Sequence, residues 1–249
     1  MPQRYGTRRT GTGPTGIDPG TLPNLELRFR GTTLAGAADD RIATWVDISG
    51  YGRDGTQAVN GNRPRISGIN SNNPNSPTGK LGAGFTFGEP DYLTGALPVG
   101  GIDDSAGFTF YAWIFESPFG GANQVVWNDP IGSRPQLIYS SANSKIGYRD
   151  DAATFETITM TSGYHSLAWT FAPPNDHSGV ASVYQDGVLL GASTWNFTTN
   201  PATSYVLGAN QVFNAGFAGI MYEFDFFSTI HSLSTINAIR RYGQSFWGF

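Results

Sequence analysis

Residues 164–191, YHSLAWTFAPPNDHSGVASVYQDGVLLG, decide the fold. Two runs rich in aromatic and β-branched residues, Tyr164–Phe171 and Val180–Tyr184, flank a connection rich in Pro, Asn, Asp and Gly. An Asp186–Gly187 pair then leads into Val188–Leu190. Asp-Gly supplies the positive φ angles that a two-residue hairpin turn requires, so the segment reads as strand, loop, strand, turn and strand in an antiparallel sheet.

The chain on either side keeps this rhythm. LELRFR (25–30) alternates Leu25, Leu27 and Phe29 with Glu26, Arg28 and Arg30, the pattern of a half-buried strand. Ile42–Ile48 is followed by the turn-rich SGYGRDGTQA, and residues 59–80, mostly Asn, Gly, Pro and Ser, read as a long surface loop. Gly84–Phe87 and Tyr92–Leu93 are short strands. GFTFYAWIFE (107–116) is apolar on both faces, which predicts a central strand covered on both sides. Gln124–Trp127, Gln136–Tyr139, Lys145–Tyr148, Phe155–Thr159, Ser204–Leu207 and Gly216–Phe227 continue the series. Helical spacing appears only near the end, where Ile236, Ala238, Ile239 and Tyr242 follow a Ser234 N-cap and stop at Gly243.

Composition agrees with one all-β domain. Among 249 residues, 33 glycines without a three-residue period fit many tight connections, and 14% aromatic residues can fill a large core. The absence of cysteine excludes a disulfide framework, thiolate metal sites and thiol chemistry. Nothing approaches the roughly 18 apolar residues of a membrane span, and the basic N-terminus lacks the apolar core of an export signal. Residues 1–24 carry Arg4, Arg8 and Arg9 against Asp18 alone, a net of +2, and the remainder carries −6. A negative body disfavours nucleic acid as a partner. The expected organisation is an extended arm, residues 1–24, that is held by a partner, followed by a two-sheet antiparallel jelly-roll sandwich over 25–249 with a short C-terminal helix.

The segments Trp45-Val46-Asp47-Ile48-Ser49-Gly50 with Gly52, Asp54 and Gly55, Phe85-Thr86-Phe87 before Asp91-Tyr92-Leu93, Phe108-Thr109-Phe110 with Trp113, Tyr164–Phe171, Tyr184-Gln185-Asp186-Gly187, and Gly219–Phe227 before Leu233-Ser234 stand in a familiar order. Together they resemble the laminin-G-like members of the concanavalin A-like jelly-roll superfamily. The resemblance implies the fold. It leaves open glycan binders, interaction modules, spacers and glycoside-cleaving enzymes.

Some hydrolases of this superfamily use an E-x-D-x-E or E-x-D-x-x-E strand. Glu223-Phe224-Asp225 offers the first two acids on one face, but Phe227 and Ser228 occupy the third position, so the chain is expected not to be an enzyme. His165, His177 and His231 show no ligand spacing. Loop carboxylates offer the oxygen ligands that calcium takes, and Asp54, which follows the family's DxSG turn, is the candidate metal residue. Calcium is the one cofactor entertained. Trp127-Asn128-Asp129, Tyr139 and Tyr148-Arg149 combine rings that stack on sugar faces with groups that bond hydroxyls, and are the glycan-binding candidates.

A laminin-G-like domain without an export signal is expected to leave the cell by another route. Related jelly rolls occur among bacteriophage head-decoration and tail proteins, so the first reading is a non-catalytic virion structural protein. It would be made in the host cytoplasm and displayed in multiple copies, or as a homo-oligomer, on the virion surface. Arg4, Tyr5, Arg8 and Arg9 would bind a capsid or tail protein, and the body would touch host-surface glycan. The alternatives are a carbohydrate-binding module of a secreted or surface protein and a polysaccharide-cleaving enzyme.

Overall fold

The computed structural model describes residues 16–67, 80–86, 91–97, 106–116, 124–128, 136–140, 145–149, 154–158, 163–175, 178–196, 203–209 and 216–248. The strands are β1 (Leu25–Arg30), β2 (Thr44–Trp45), β3 (Gly55–Thr56), β4 (Arg65–Ser67), β5 (Gly82–Phe85), β6 (Leu93–Ala96), β7 (Phe108–Glu116) and β8 (Gln124–Asn128). They continue as β9 (Gln136–Ser140), β10 (Lys145–Arg149), β11 (Thr154–Ile158), β12 (Tyr164–Asn175), β13 (Ser178–Gln185), β14 (Val188–Asn196), β15 (Ser204–Leu207) and β16 (Gly219–Phe227). One helix, α1 (Leu233–Trp247), follows them. Sheet A runs β14-β13-β12-β7-β16-β5-β4, with β1 also on β16, and sheet B runs β11-β10-β9-β8-β15-β6-β3-β2. Every strand pairing is antiparallel, and the two sheets form the expected sandwich.

The Asp186–Gly187 turn joins β13 to β14 with φ of 51° and 78° at its two central residues, the positive pair that a primed hairpin turn needs. Here β12 runs further than its sequence suggests, through Pro173 and Pro174 to Asn175, with a register irregularity between Ala172 and Asn175. Proline is tolerated there because an irregularity relieves the ladder of the missing N–H. A Cβ on Gly187 would collide with the Asn237 side-chain amide on α1. Gly187→Ala is therefore expected to lower stability by about 1–2 kcal/mol, measured as a fall in the urea midpoint without a change in slope.

The central strand β7 is covered on both sides, as its two apolar faces require. Phe108, Phe110, Ala112 and Ile114 point between the sheets with Phe171, Phe224 and Phe226. Phe108 stacks on Phe171 at 4.6 Å and Phe110 on Phe226 at 4.8 Å. Tyr111 and Trp113 point the other way, beneath Ile236, Ile239 and Trp247 of α1. The helix thus seals the outer face of sheet A. It begins two residues earlier than expected, capped by Ser232 rather than Ser234, and the Ser232 hydroxyl accepts from the Thr235 N–H. It also passes through Gly243 and ends before Gly248 at φ 87°. Gly243 is not a cap: it lets the helix backbone approach the Trp113 indole, where any Cβ would collide.

Of the arm, residues 16–24 are described. The Ile17 N–H donates to Ala238 O of α1 at 3.1 Å, and Asp18 reaches Arg28 at 2.6 Å. Residues 16–24 therefore pack on their own domain, because Asp18 completes an ion cluster there. Arg4, Tyr5, Arg8 and Arg9 lie outside the described residues.

Candidate functional site

Paired residues of a sheet point to the same side, so register identifies what each face of sheet B presents. In the row Trp45–Gly55 and Leu93–Leu207–Trp127 the side chains enter the core. The alternate row, Thr44–Thr56–Thr94–Val206–Asn128, therefore lies on the other side of the sheet across five strands, accessible at its threonine end and buried at Val206 and Asn128. Ala96 and Ser204, paired two residues further along, share that side. At about 4.8 Å between strands the five positions extend over roughly 19 Å. Thr44 and Thr56 are exposed and Thr94 is half-buried. No charged side chain stands in the row.

Asn128 is fully buried, and its side-chain oxygen and nitrogen have no hydrogen-bond partner among the described residues. A buried amide left unpaired costs about 1–3 kcal/mol, and with no exposed surface it is out of reach of a ligand on this face.

Two other glycan candidates are corrected by their burial. Trp127 is buried on the opposite side of β8, with its ring 4.8 Å from that of Phe110. Tyr148 is buried on β10, its hydroxyl donating to Thr194 O at 2.9 Å and its ring meeting Phe171 edge-on. Neither ring has a free face for a sugar, because both strands lie inside an eight-stranded sheet rather than on loops or edges. The side chains of Tyr139 and Arg149, and the whole of Asp129, lie outside the described residues. Sequence reading missed Thr44, Thr56, Thr94 and Ser204: nothing local distinguishes them, and only their long-range register brings them together.

The β2–β3 loop forms a second, rigid feature. Asp47 Oδ1 accepts from the N–H groups of Arg28 and Ser49, and Oδ2 accepts from the Ser49 hydroxyl and the Arg53 N–H. Asp54 Oδ1 accepts from the Asp47 N–H at 2.9 Å. These carboxylates hold the turn, and among the described residues no group of three or more His, Asp or Glu converges as a metal site. Asp54 is thus a turn residue in this geometry. On the same loop, Tyr51 is 57% exposed, the one exposed aromatic ring among the described residues. The Arg53 guanidinium lies 4.3 Å from its centroid and is itself fixed by the carbonyl and carboxylate of Glu26.

Glu223 and Asp225 share a face, as their spacing predicts, but that face is under α1. Glu223 accepts from Arg28 Nε at 2.9 Å, from Arg30 at 3.0 Å and, through its other oxygen, from the Trp247 indole at 3.0 Å. Asp225 lies 3.5 Å from Arg28 Nε. Burial raises the titration of both carboxyls, and their mutual repulsion adds to it for Asp225. Both acids are fully buried, so neither is placed to meet a substrate. The described histidines do not converge either: His165 contacts Asp186 and Gln185, and His231 contacts Tyr111.

The fold and this face define a concanavalin A-like β-sandwich, closed by a helix on one side and lined with hydroxyls on the other. No protein-family model matches the chain, and no curated protein sequence matches it. In structure it is similar to Trypanosoma rangeli sialidase, with a TM-score of 0.59 at 15% identity over 91% of this chain and 34% of that one. The same sialidase in complex with 2,3-difluorosialic acid, as a covalent intermediate, gives 0.60 at 14% identity over 91% and 34%. The Ruminococcus gnavus IT-sialidase CBM40 bound to α2,3 sialyllactose gives 0.44 at 14% identity over 55% of this chain and 83% of that one. The chain spans about a third of the length of the sialidase chains. At these identities the likeness is one of fold.

Proposed function

We propose that the chain is a non-catalytic carbohydrate-binding module that receives a glycan on the outward face of sheet B. The observation that carries this reading is the cross-strand row of the Thr44, Thr56 and Thr94 hydroxyls, exposed or half-buried on the side of sheet B away from the core. Hydroxyls donate and accept as sugar hydroxyls do, without the desolvation penalty of charged groups. Tyr51 adds an exposed ring on the β2–β3 loop at the edge of the same sheet. The similar Trypanosoma rangeli sialidase is in complex with 2,3-difluorosialic acid, which fits a sugar ligand and leaves its identity open to screening. Occlusion of Glu223 and Asp225 under α1 supports the non-catalytic part of the reading.

Display on a phage particle would use the same module in another setting. It rests on Arg4, Tyr5, Arg8 and Arg9, outside the described residues, and none of the similar sialidase structures is a virion protein.

The test pairs a glycan array with Thr44→Val. Replacing an exposed hydroxyl by a methyl group of the same shape is expected to change stability by less than about 0.5 kcal/mol, while affinity for any glycan that binds falls about tenfold or more. Thr56→Arg, at an exposed position, is expected to change stability by less than about 0.5 kcal/mol and to block the face. Binding that survives both substitutions would place the ligand elsewhere, and a protein that binds no glycan would overturn the reading.

A further inference from the structure

Five ionisable groups meet between sheet A and α1. Asp18 precedes β1, Arg28 and Arg30 stand on β1, and Glu223 and Asp225 stand opposite them on β16, with Arg28 paired to Asp225 and Arg30 to Glu223 in register. Three carboxylates thus share two guanidinium groups. The donors are unequally distributed. Glu223 collects Arg28, Arg30 and Trp247, and Asp18 takes the remaining reach of Arg28. Asp225 is fully buried, and neither of its oxygens has a hydrogen-bond donor among the described residues. Its nearest cation, Arg28 Nε at 3.5 Å, is already donating to Glu223.

The same cluster fastens the helix. Arg30 donates to the Tyr242 hydroxyl at 2.7 Å, and its guanidinium lies 4.6 Å from the Phe246 centroid. Trp247 is tied directly to Glu223. The other groups around the site are Tyr111, opposite Asp225 on β7, and Lys80, whose ammonium lies 5.1 Å from the Phe246 centroid. Arg240, on α1, has its guanidinium Nε beside Gly187. Arg241, also on α1, lies where its backbone faces Gly16.

We propose that Asp225 carries a proton beneath α1 and that losing it as the pH rises loosens the helix from sheet A. With that proton, two negative and two positive charges balance. Without it, a third carboxylate charge, uncompensated, is buried beside Glu223. Glu223 and Asp225 titrate as a pair, with the charge on the member that holds the donors. Burial, joined by repulsion from Glu223, keeps Asp225 protonated well above the ordinary carboxylate range. The unfolded chain binds no proton there above about pH 4. The folded state then holds one proton more than the unfolded state, so this group's contribution falls as the pH rises from about 4 toward its raised value. His231 works in the other direction: burial pushes its imidazole down to about 4, so its contribution grows with pH only up to about 6.5. Above that pH the slope belongs to the Glu223–Asp225 pair, because burial also raises Glu223, to about 7, and Asp225→Asn reads the share of Asp225.

The experiment is urea unfolding of the whole chain from pH 6.5 upward, with hydrogen exchange of residues 233–247 followed over the same range. The unfolding equilibrium constant is expected to rise by up to about tenfold per pH unit, the limit for one proton. After correction for intrinsic rates, exchange in α1 should accelerate more than exchange in β12. Asp225→Asn should remove the share of Asp225 from the slope. A flat profile in the parent protein, or the same slope in Asp225→Asn, would overturn the proposal. Should that variant not fold, infrared spectroscopy of the parent protein decides. A protonated carboxyl band that disappears with rising pH in step with α1 exchange supports the proposal, and absence of the band at pH 6.5 overturns it.

Discussion

Trp127→Ala is expected to destabilise the fold by about 3–5 kcal/mol, the loss typical of emptying a large buried aromatic site. The indole is fully buried and lies against Phe110 at 4.8 Å in the layer between the sheets. Phe110 in turn stacks on Phe226 and meets Phe224, so the cavity opens at the centre of the aromatic core rather than at its rim. The measurement is urea denaturation, together with glycan binding at a temperature where the variant remains folded. A stability near that of the parent combined with lost glycan binding would return Trp127 to the ligand surface. The expected result is the reverse: a large drop in stability and little change in the affinity of the folded fraction, because the row of threonine hydroxyls lies on the opposite side of sheet B.

That contrast shows where sequence reading succeeds and where it stops. The Asp186–Gly187 hairpin and the two apolar faces of β7 were legible because turn chemistry and period-two alternation are local signals. Even the pairing of Glu223 with Asp225 on one side of β16 follows from spacing alone. What covers that side does not, because Arg28 and Glu223 are 195 residues apart and only antiparallel register brings them opposite. Trp127 and Tyr148 failed as glycan candidates for a related reason. An aromatic ring beside Asn or Arg looks the same on an edge loop as on a strand deep in an eight-stranded sheet, and for Trp127 the depth depends on β15, which is distant in the chain. The threonine row was invisible because Thr44, Thr56, Thr94 and Asn128 acquire a common direction only through four successive strand pairings. The helix start moved from Ser234 to Ser232 because both serines are competent caps, and packing of Trp247 and Gly243 on sheet A sets the phase.

Arg28→Met is the second substitution with a large expected effect, a loss of about 3–5 kcal/mol near neutral pH. Methionine matches much of the side-chain volume, so the loss is one of charge compensation rather than of packing. Arg28 is the one cation that reaches all three carboxylates, at 2.6 Å from Asp18, 2.7 Å from Glu223 and 3.5 Å from Asp225. Although its own burial opposes the charge, Asp225, Glu223 and Asp18 together hold the guanidinium above its ordinary titration, so the ion is required by its surroundings. Without it, Arg30 is left to face all three acids. Their protonation on acidification then relieves the repulsion, so the variant's deficit is expected to shrink as the pH falls from 8 toward 5. Urea midpoints for parent and variant at the two pH values check both parts. A deficit below about 1 kcal/mol would be the behaviour of a solvent-screened pair, and an equal deficit at both pH values would mean that the carboxylates do not take up protons. A triple variant, Arg28→Met with Glu223→Leu and Asp225→Leu, separates charge from shape: removing the acids together with their cation should restore much of the lost stability, because an apolar cluster of similar volume needs no compensation under the helix.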